Sequence, residues 1–169
     1  MGLPGGTGHM IRLRLIVLGR LAELHWQAAC AEYKKRLSAV CNVTEIELKE
    51  VRTPRTPGEG EIAAALEKEA DMILEQIPPR AFVVALCIEG KAYTSQSLAA
   101  LLADRITGGA SELCFIIGSS YGLSDRVKGA AHLRLSMSSL TFPHQLARVM
   151  LYECIYRCTE IWRGSPYHK

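Results

Sequence analysis

Apolar positions along this chain follow two alternating periods. In IRLRLIVLG (11–19) apolar and charged residues alternate at first and then run together, which predicts a strand buried on one face at its start and on both by its end. In 22–38, Trp26, Cys30, Tyr33 and Leu37 recur three and four residues apart, the spacing of one helix face. Alternation returns in NVTEIELKEV (42–51) and predicts a second strand. RTPRTPGEGE (52–61) carries two prolines and two glycines and reads as a loop. The helical pattern of 61–77 follows and stops at Pro78-Pro79.

Three more strands are predicted, AFVVALCI (81–88), ELCFIIG (112–118) and HLRLS (132–136). The first two are apolar at almost every position, as in a parallel sheet covered on both faces. EGKAYTS, after the first of them, reads as a turn. Between the strands lie a helix over 95–107, with a serine cap and a Gly108-Gly109 stop, and a short helix over 124–131. The last helix, 143–164, opens at Pro143 and would span about 30 Å. The rhythm predicts an α/β fold in one domain, residues 10–169, with a mostly parallel sheet flanked by helices. Residues 1–9, MGLPGGTGH, lack charge and apolar periodicity and read as a cloning scar.

Composition narrows the classes. The chain is 49% hydrophobic and 22% charged, ordinary for a soluble globular protein, and no apolar run approaches the roughly 18 residues of a membrane span. LIVLG is too short for a secretory signal and is interrupted by Arg20, so a cytoplasmic location is expected. Six cysteines sit mostly in apolar segments without a C-x-x-C, which points to buried thiols rather than metal or disulfides. The net charge is only +3, yet between Arg126 and Lys169 seven Lys/Arg face two Glu. Such a local surplus suits a polyanion or forms a solvated basic face.

Two familiar chemistries have partial signatures in this chain. IIGSSYGLS contains G-x-S-x-G, with Ser120 directly after an apolar strand, followed by Asp125, His132, His144 and His168 in the order of a hydrolase triad. Only one short strand remains after it, however, and Asp125 is five residues from Ser120 rather than on a later loop. A dinucleotide fold would want G-x-G-x-x-G after the first strand, where VLGRLAEL offers Gly19 alone. Neither chemistry is supported.

GRL…W…AEYKKRL, LCIEGK, FIIGSSYGL, SLTFPHQLARVMLYECIYR and RGSPYHK follow in this order along the chain. Together they resemble the RlmH family of SPOUT-class RNA methyltransferases from Met10 to Lys169. The resemblance implies a C-terminal trefoil knot and a homodimer. It also implies transfer of methyl from S-adenosylmethionine to N3 of a pseudouridine in large-subunit ribosomal RNA, within the assembled ribosome. It places the donor among Leu86, Gly118 and the run Met137, Ser138, Ser139, Leu140, Thr141 and Phe142. That uncharged loop suits an adenine, which wants an apolar slot and a few fixed backbone groups.

Candidate catalytic residues are His144, Arg148, Tyr167 and His168, with no metal. His144, Arg148 and Tyr152 share one helix face by their four-residue spacing, and a solvated helix could show the same stripe. Glu153 and Arg157 are placed for a structural i,i+4 pair. Within the resemblance, Tyr167 and His168 reach an active site, their own or a partner subunit's. The base that takes the N3 proton is His168, His144 or water. One departure is visible, because the family has two glycines where this chain has Gly118-Ser119. A basic α/β module binding RNA without catalysis is the competing reading, and it leaves the apolar 137–142 loop unexplained.

Overall fold

The computed structural model describes Leu3, Pro4 and residues 9–168. Residues 1, 2 and 5–8 of the expected cloning scar lie outside the described residues, as do Lys169 and the side chain of His168.

Five strands form one sheet: β1 (Ile11–Leu18), β2 (Cys41–Leu48), β3 (Phe82–Ala92), β4 (Leu113–Ile117) and β5 (Leu133–Ser136). Their order is β2-β1-β4-β3-β5, and every neighbouring pair is parallel. Five helices connect and close them: α1 (Leu24–Leu37), α2 (Glu59–Glu75), α3 (Ser95–Thr107), α4 (Asp125–Ala130) and α5 (His144–Trp162), with a short 3-10 turn at Pro166–His168.

The period of two along β1 divides the core. Leu13, Leu15 and Val17 face α1, α3 and α5, while Ile16 and Leu18 face α2 and α4. All of β4 is buried, as its unbroken apolar run predicts for a strand with neighbours on both sides and helices on both faces. Trp162, at the end of α5, is buried and donates from Nε1 to Ala99 O at 2.8 Å, so its one polar atom is satisfied on α3. The six cysteines are unpaired, and burial pushes the thiols of Cys41, Cys114 and Cys158 up to about 12.

Several boundaries differ from expectation. The helix read as starting at residue 61 begins at Glu59, its Gly58 N–H donating to Glu61 Oε2 at 2.9 Å. The cap of α3 is Thr94 rather than a serine: Thr94 Oγ1 accepts from Ser97 N and Ser97 Oγ from Thr94 N. Most of the segment read as a turn after residue 88 belongs to β3. Leu86 and Lys91 both face Leu135 of β5, so residues 87–90 bow out of the ladder. Gly90 sits so close to β5 that a Cβ there would lie 2.7 Å from Arg134 O.

The basic surplus between Arg126 and Lys169 is largely neutralised among the described residues. Arg126 pairs with Asp71 and Glu67, Lys128 with Glu89, Arg148 with Glu47, Arg157 with Glu153 and Arg163 with Glu160. Three of these five reach carboxylates well outside the segment, so the local count overstates the basic character of this surface.

Candidate active site

A cavity of about 700 Å³ opens where β3, β4 and β5 end. Parallel strands release all their loops at the same edge, and ligands of open α/β sheets collect there. Three loops line it: 86–89 from β3, 117–123 from β4 and 135–143 from β5, with His144 and Ala147 of α5 closing one side. Of the expected donor residues, Leu86, Gly118, Met137, Ser138, Leu140, Thr141 and Phe142 meet around this cavity; Ser139 does not line it.

The β5 loop holds its shape through its own serines. Ser136 Oγ donates to Ser138 O at 3.1 Å, and Leu140 N donates to Ser138 Oγ at 3.0 Å. Met137 and Phe142 are half-buried, whereas Leu140 is 67% exposed and belongs to the cavity's mouth. The β4 loop turns back on itself, with Gly122 N donating to Ser119 O at 2.9 Å. A Cβ on Gly118 would lie 2.2 Å from Gly122 O, so this glycine is required by the loop's own closure. Ser119, the departure from the double glycine, is buried and donates to Glu69 Oε2 at 2.8 Å. Glu69 Oε1 in turn accepts Val51 N at 2.9 Å. The serine therefore ties the cavity loop to α2 and to the chain after β2.

G-x-S-x-G makes no triad. Ser120 is exposed and, among the described residues, bonds to no histidine or carboxylate. Asp125 opens α4, and His132 Nδ1 accepts Val83 N at 3.0 Å while its ring stacks on Phe82.

The polar stripe of α5 splits in two. His144 lines the cavity, its Nδ1 4.0 Å from Glu50 Oε1, an otherwise unpartnered buried oxygen. Arg148 and Tyr152 are fully buried against β2 and outside the cavity lining, which corrects the solvated-helix reading of this face. Arg148 donates to Glu47 Oε2 at 2.7 Å and to Gly19 O at 2.8 Å, and Tyr152 OH donates to Glu45. Burial alone would raise Glu47, but the Arg148 guanidinium and the Leu21 N–H outweigh it and hold its carboxyl below the usual range. Burial first, and then the neighbouring Glu45 carboxylate, push the Tyr152 phenol far up. The sequence signal for these partners was the pair of acidic residues two apart on β2, Glu45 and Glu47.

Tyr167 docks on its own α5. Its OH donates to Glu153 Oε2 at 2.9 Å, its ring packs edge-on against Tyr156, and the Arg157 guanidinium lies over it. Glu153 is nine residues beyond His144, roughly 14 Å along the helix. Tyr167 is thus far from the cavity of its own chain. The Glu153–Arg157 pair forms as its spacing predicts, with Arg157 Nε donating to Glu153 Oε1 at 3.0 Å. Sequence reasoning missed Ile88, Glu89, Tyr121 and Lys128, which also line the cavity; the Glu89–Lys128 pair joins β3 to α4 there.

Residues 11–168 match the family model described as "Predicted SPOUT methyltransferase". The chain belongs to the SPOUT methyltransferase family. Similar proteins include the "Ribosomal RNA large subunit methyltransferase H" of Bacillus pumilus (strain SAFR-032), 43% identical over 159 residues, 94% of this chain and 100% of that protein. Proteins of the same name from Clostridioides difficile (strain 630), at 42%, and Streptococcus sanguinis (strain SK36), at 43%, match with the same coverage. The methyl donor of such SPOUT enzymes is S-adenosylmethionine, and the cavity fits it in kind. About 700 Å³ is within the range of small-molecule sites, and the apolar walls alternate with loop backbone that can donate and accept.

Proposed function

We propose that this SPOUT enzyme methylates N3 of a pseudouridine in large-subunit ribosomal RNA, in the cytoplasm and on the assembled ribosome, with S-adenosylmethionine as donor. The observation that carries this is the convergence of the β3, β4 and β5 loops on one mainly apolar cavity, whose charged Glu89 and Lys128 pair with each other and which has a histidine at its side. The names of the similar proteins support the RNA.

When bound, the sulfonium donor supplies an already activated methyl group: the S–CH₃ bond breaks as N3–CH₃ forms, and the N3 proton leaves. The chain's share is to orient the donor, exclude water and accept that proton. Met137, Phe142 and Leu86 supply apolar wall, and the turns at Ser138 and Ser119 fix the backbone groups. His144 is the described histidine at the cavity, and Glu50 behind it suits a proton-accepting imidazole.

A homodimer belongs to the same reading, as does the C-terminal knot. On α5, Val149, Ile155, Ile161 and Trp162 pack into their own core. Leu146 and Met150 are half-exposed and belong to neither core cluster, so they offer an apolar patch for a second copy. Tyr167 and His168 act, on this reading, at a partner subunit's cavity.

Calorimetric titration with S-adenosylmethionine, followed by methyl transfer to ribosomes from a strain lacking the modification, tests the proposal. Donor binding with methylation at that pseudouridine is expected. Absence of donor binding would leave the non-catalytic RNA-binding module as the better reading.

A further inference from the structure

Most cations in this molecule are already engaged. Among the described residues, the exposed Arg20, Lys49, Arg52 and Arg55 make no ion pair, hydrogen bond or cation–π contact. Lys35 and Lys68 share that state, but they sit singly on helices, Lys35 at the end of α1 beside the opposite edge of the sheet. The first four lie on two neighbouring loops. Arg20 follows β1 and the other three follow β2, and the two loops are joined by Gly19 N donating to Leu48 O at 2.9 Å.

These loops leave the sheet at the same edge as the cavity loops and touch them. Thr53 Oγ1 lies 3.5 Å from the hydroxyl of Tyr121, a cavity residue that is 44% exposed. Glu50, the loop's carboxylate, points back toward His144. The loop therefore turns its acid inward and its cations outward. Pro54 and Pro57 restrict its backbone, which lowers the entropy lost on binding.

We propose that Arg20 and the 49–58 loop form the surface that grips the phosphate backbone of the RNA substrate beside the cavity, with the Tyr121 ring available to a neighbouring base. The inference rests on the RNA substrate proposed above and names the part of this chain that holds it. Guanidinium groups suit phosphate oxygens through bidentate contact, and an exposed aromatic ring suits an unstacked base. The basic C-terminal segment, by contrast, has its described charges largely occupied.

The test replaces Arg52 and Arg55 together by Ala, and separately by Lys, in the full chain. Methylation of ribosomes is followed from 50 to 200 mM salt, with donor titration and urea unfolding alongside. For the Ala pair, kcat/KM for ribosomes should fall about tenfold or more, mainly through KM. The slope of its logarithm against log salt should shrink by about 0.7 to 0.9 per cation removed. Donor affinity and unfolding midpoint should stay at parental values, and the Lys pair should recover most of the slope. Parental kcat/KM, or a lowered kcat/KM with the full parental slope, would overturn the phosphate assignment. A parental protein that binds no donor and methylates no ribosome would instead sink the enzymatic reading.

Discussion

Arg148 shows what residue spacing can and cannot say. Positions 144, 148 and 152 must share a helix face, and they do, but spacing alone does not tell whether the face meets water, ligand or another element. Here a fully buried guanidinium is held by Glu47, Glu45 and Gly19 O. Arg148→Ala is expected to destabilise the fold by about 3 kcal/mol, measured by urea unfolding, because it strands acceptors and a half-buried carboxylate. Glu47 is held below its usual value of 4.5, so its stabilisation is present above that pH and fades as the pH falls through its lower folded value. Acid titration of the unfolding midpoint should therefore be shallower in Arg148→Ala than in the parent. Ser119 is the converse case, a departure legible in the sequence whose partner was not. Ser119→Gly removes a buried hydrogen bond to Glu69 and should cost about 2 kcal/mol. Donor affinity should change less than threefold, since the hydroxyl points away to α2.

At the scale of elements, periodicity located every strand and helix because burial on one or both faces leaves a direct mark on composition. What it missed depends on neighbours distant in sequence. The bowed-out residues 87–90 look like any polar turn until β5 is laid beside them, when Gly90 is required by the approach of Arg134 O. Their place in the cavity follows from that pairing, which is why Ile88 and Glu89 escaped notice. Seven of the eight expected donor residues meet at the cavity, and they were named for a different reason, through family resemblance carried by motifs rather than through pattern. Gly118→Ala tests how the β4 loop serves the cavity. A methyl 2.2 Å from Gly122 O forces the loop to open, with a cost of about 2 kcal/mol and at least tenfold weaker donor binding by calorimetry.

At the scale of the whole molecule, the local excess of seven cations over two acids overstates the basic character of that surface, because most of their partners come from other parts of the chain. No helix among the described residues is long and apolar enough to cross a membrane. The tail's place was not legible in the sequence, since Tyr167 rests on α5 well away from its own cavity. A chain ending at Ser165 should keep donor affinity within about twofold and lose ribosome methylation, because the docked Tyr167 and the following residues would be missing from a paired copy. Light scattering on the same protein should still report a dimer if Leu146 and Met150 carry the contact. The sheet order has a further consequence for the growing polypeptide. β4, buried at every position, is fourth to be synthesised yet lies between β1 and β3. Until residues 113–117 emerge, β3 has no neighbour and the nascent chain holds only the β1–β2 pair. Assembly is thus withheld until the final third of translation, and a fragment of residues 1–107 should show no cooperative unfolding transition by circular dichroism.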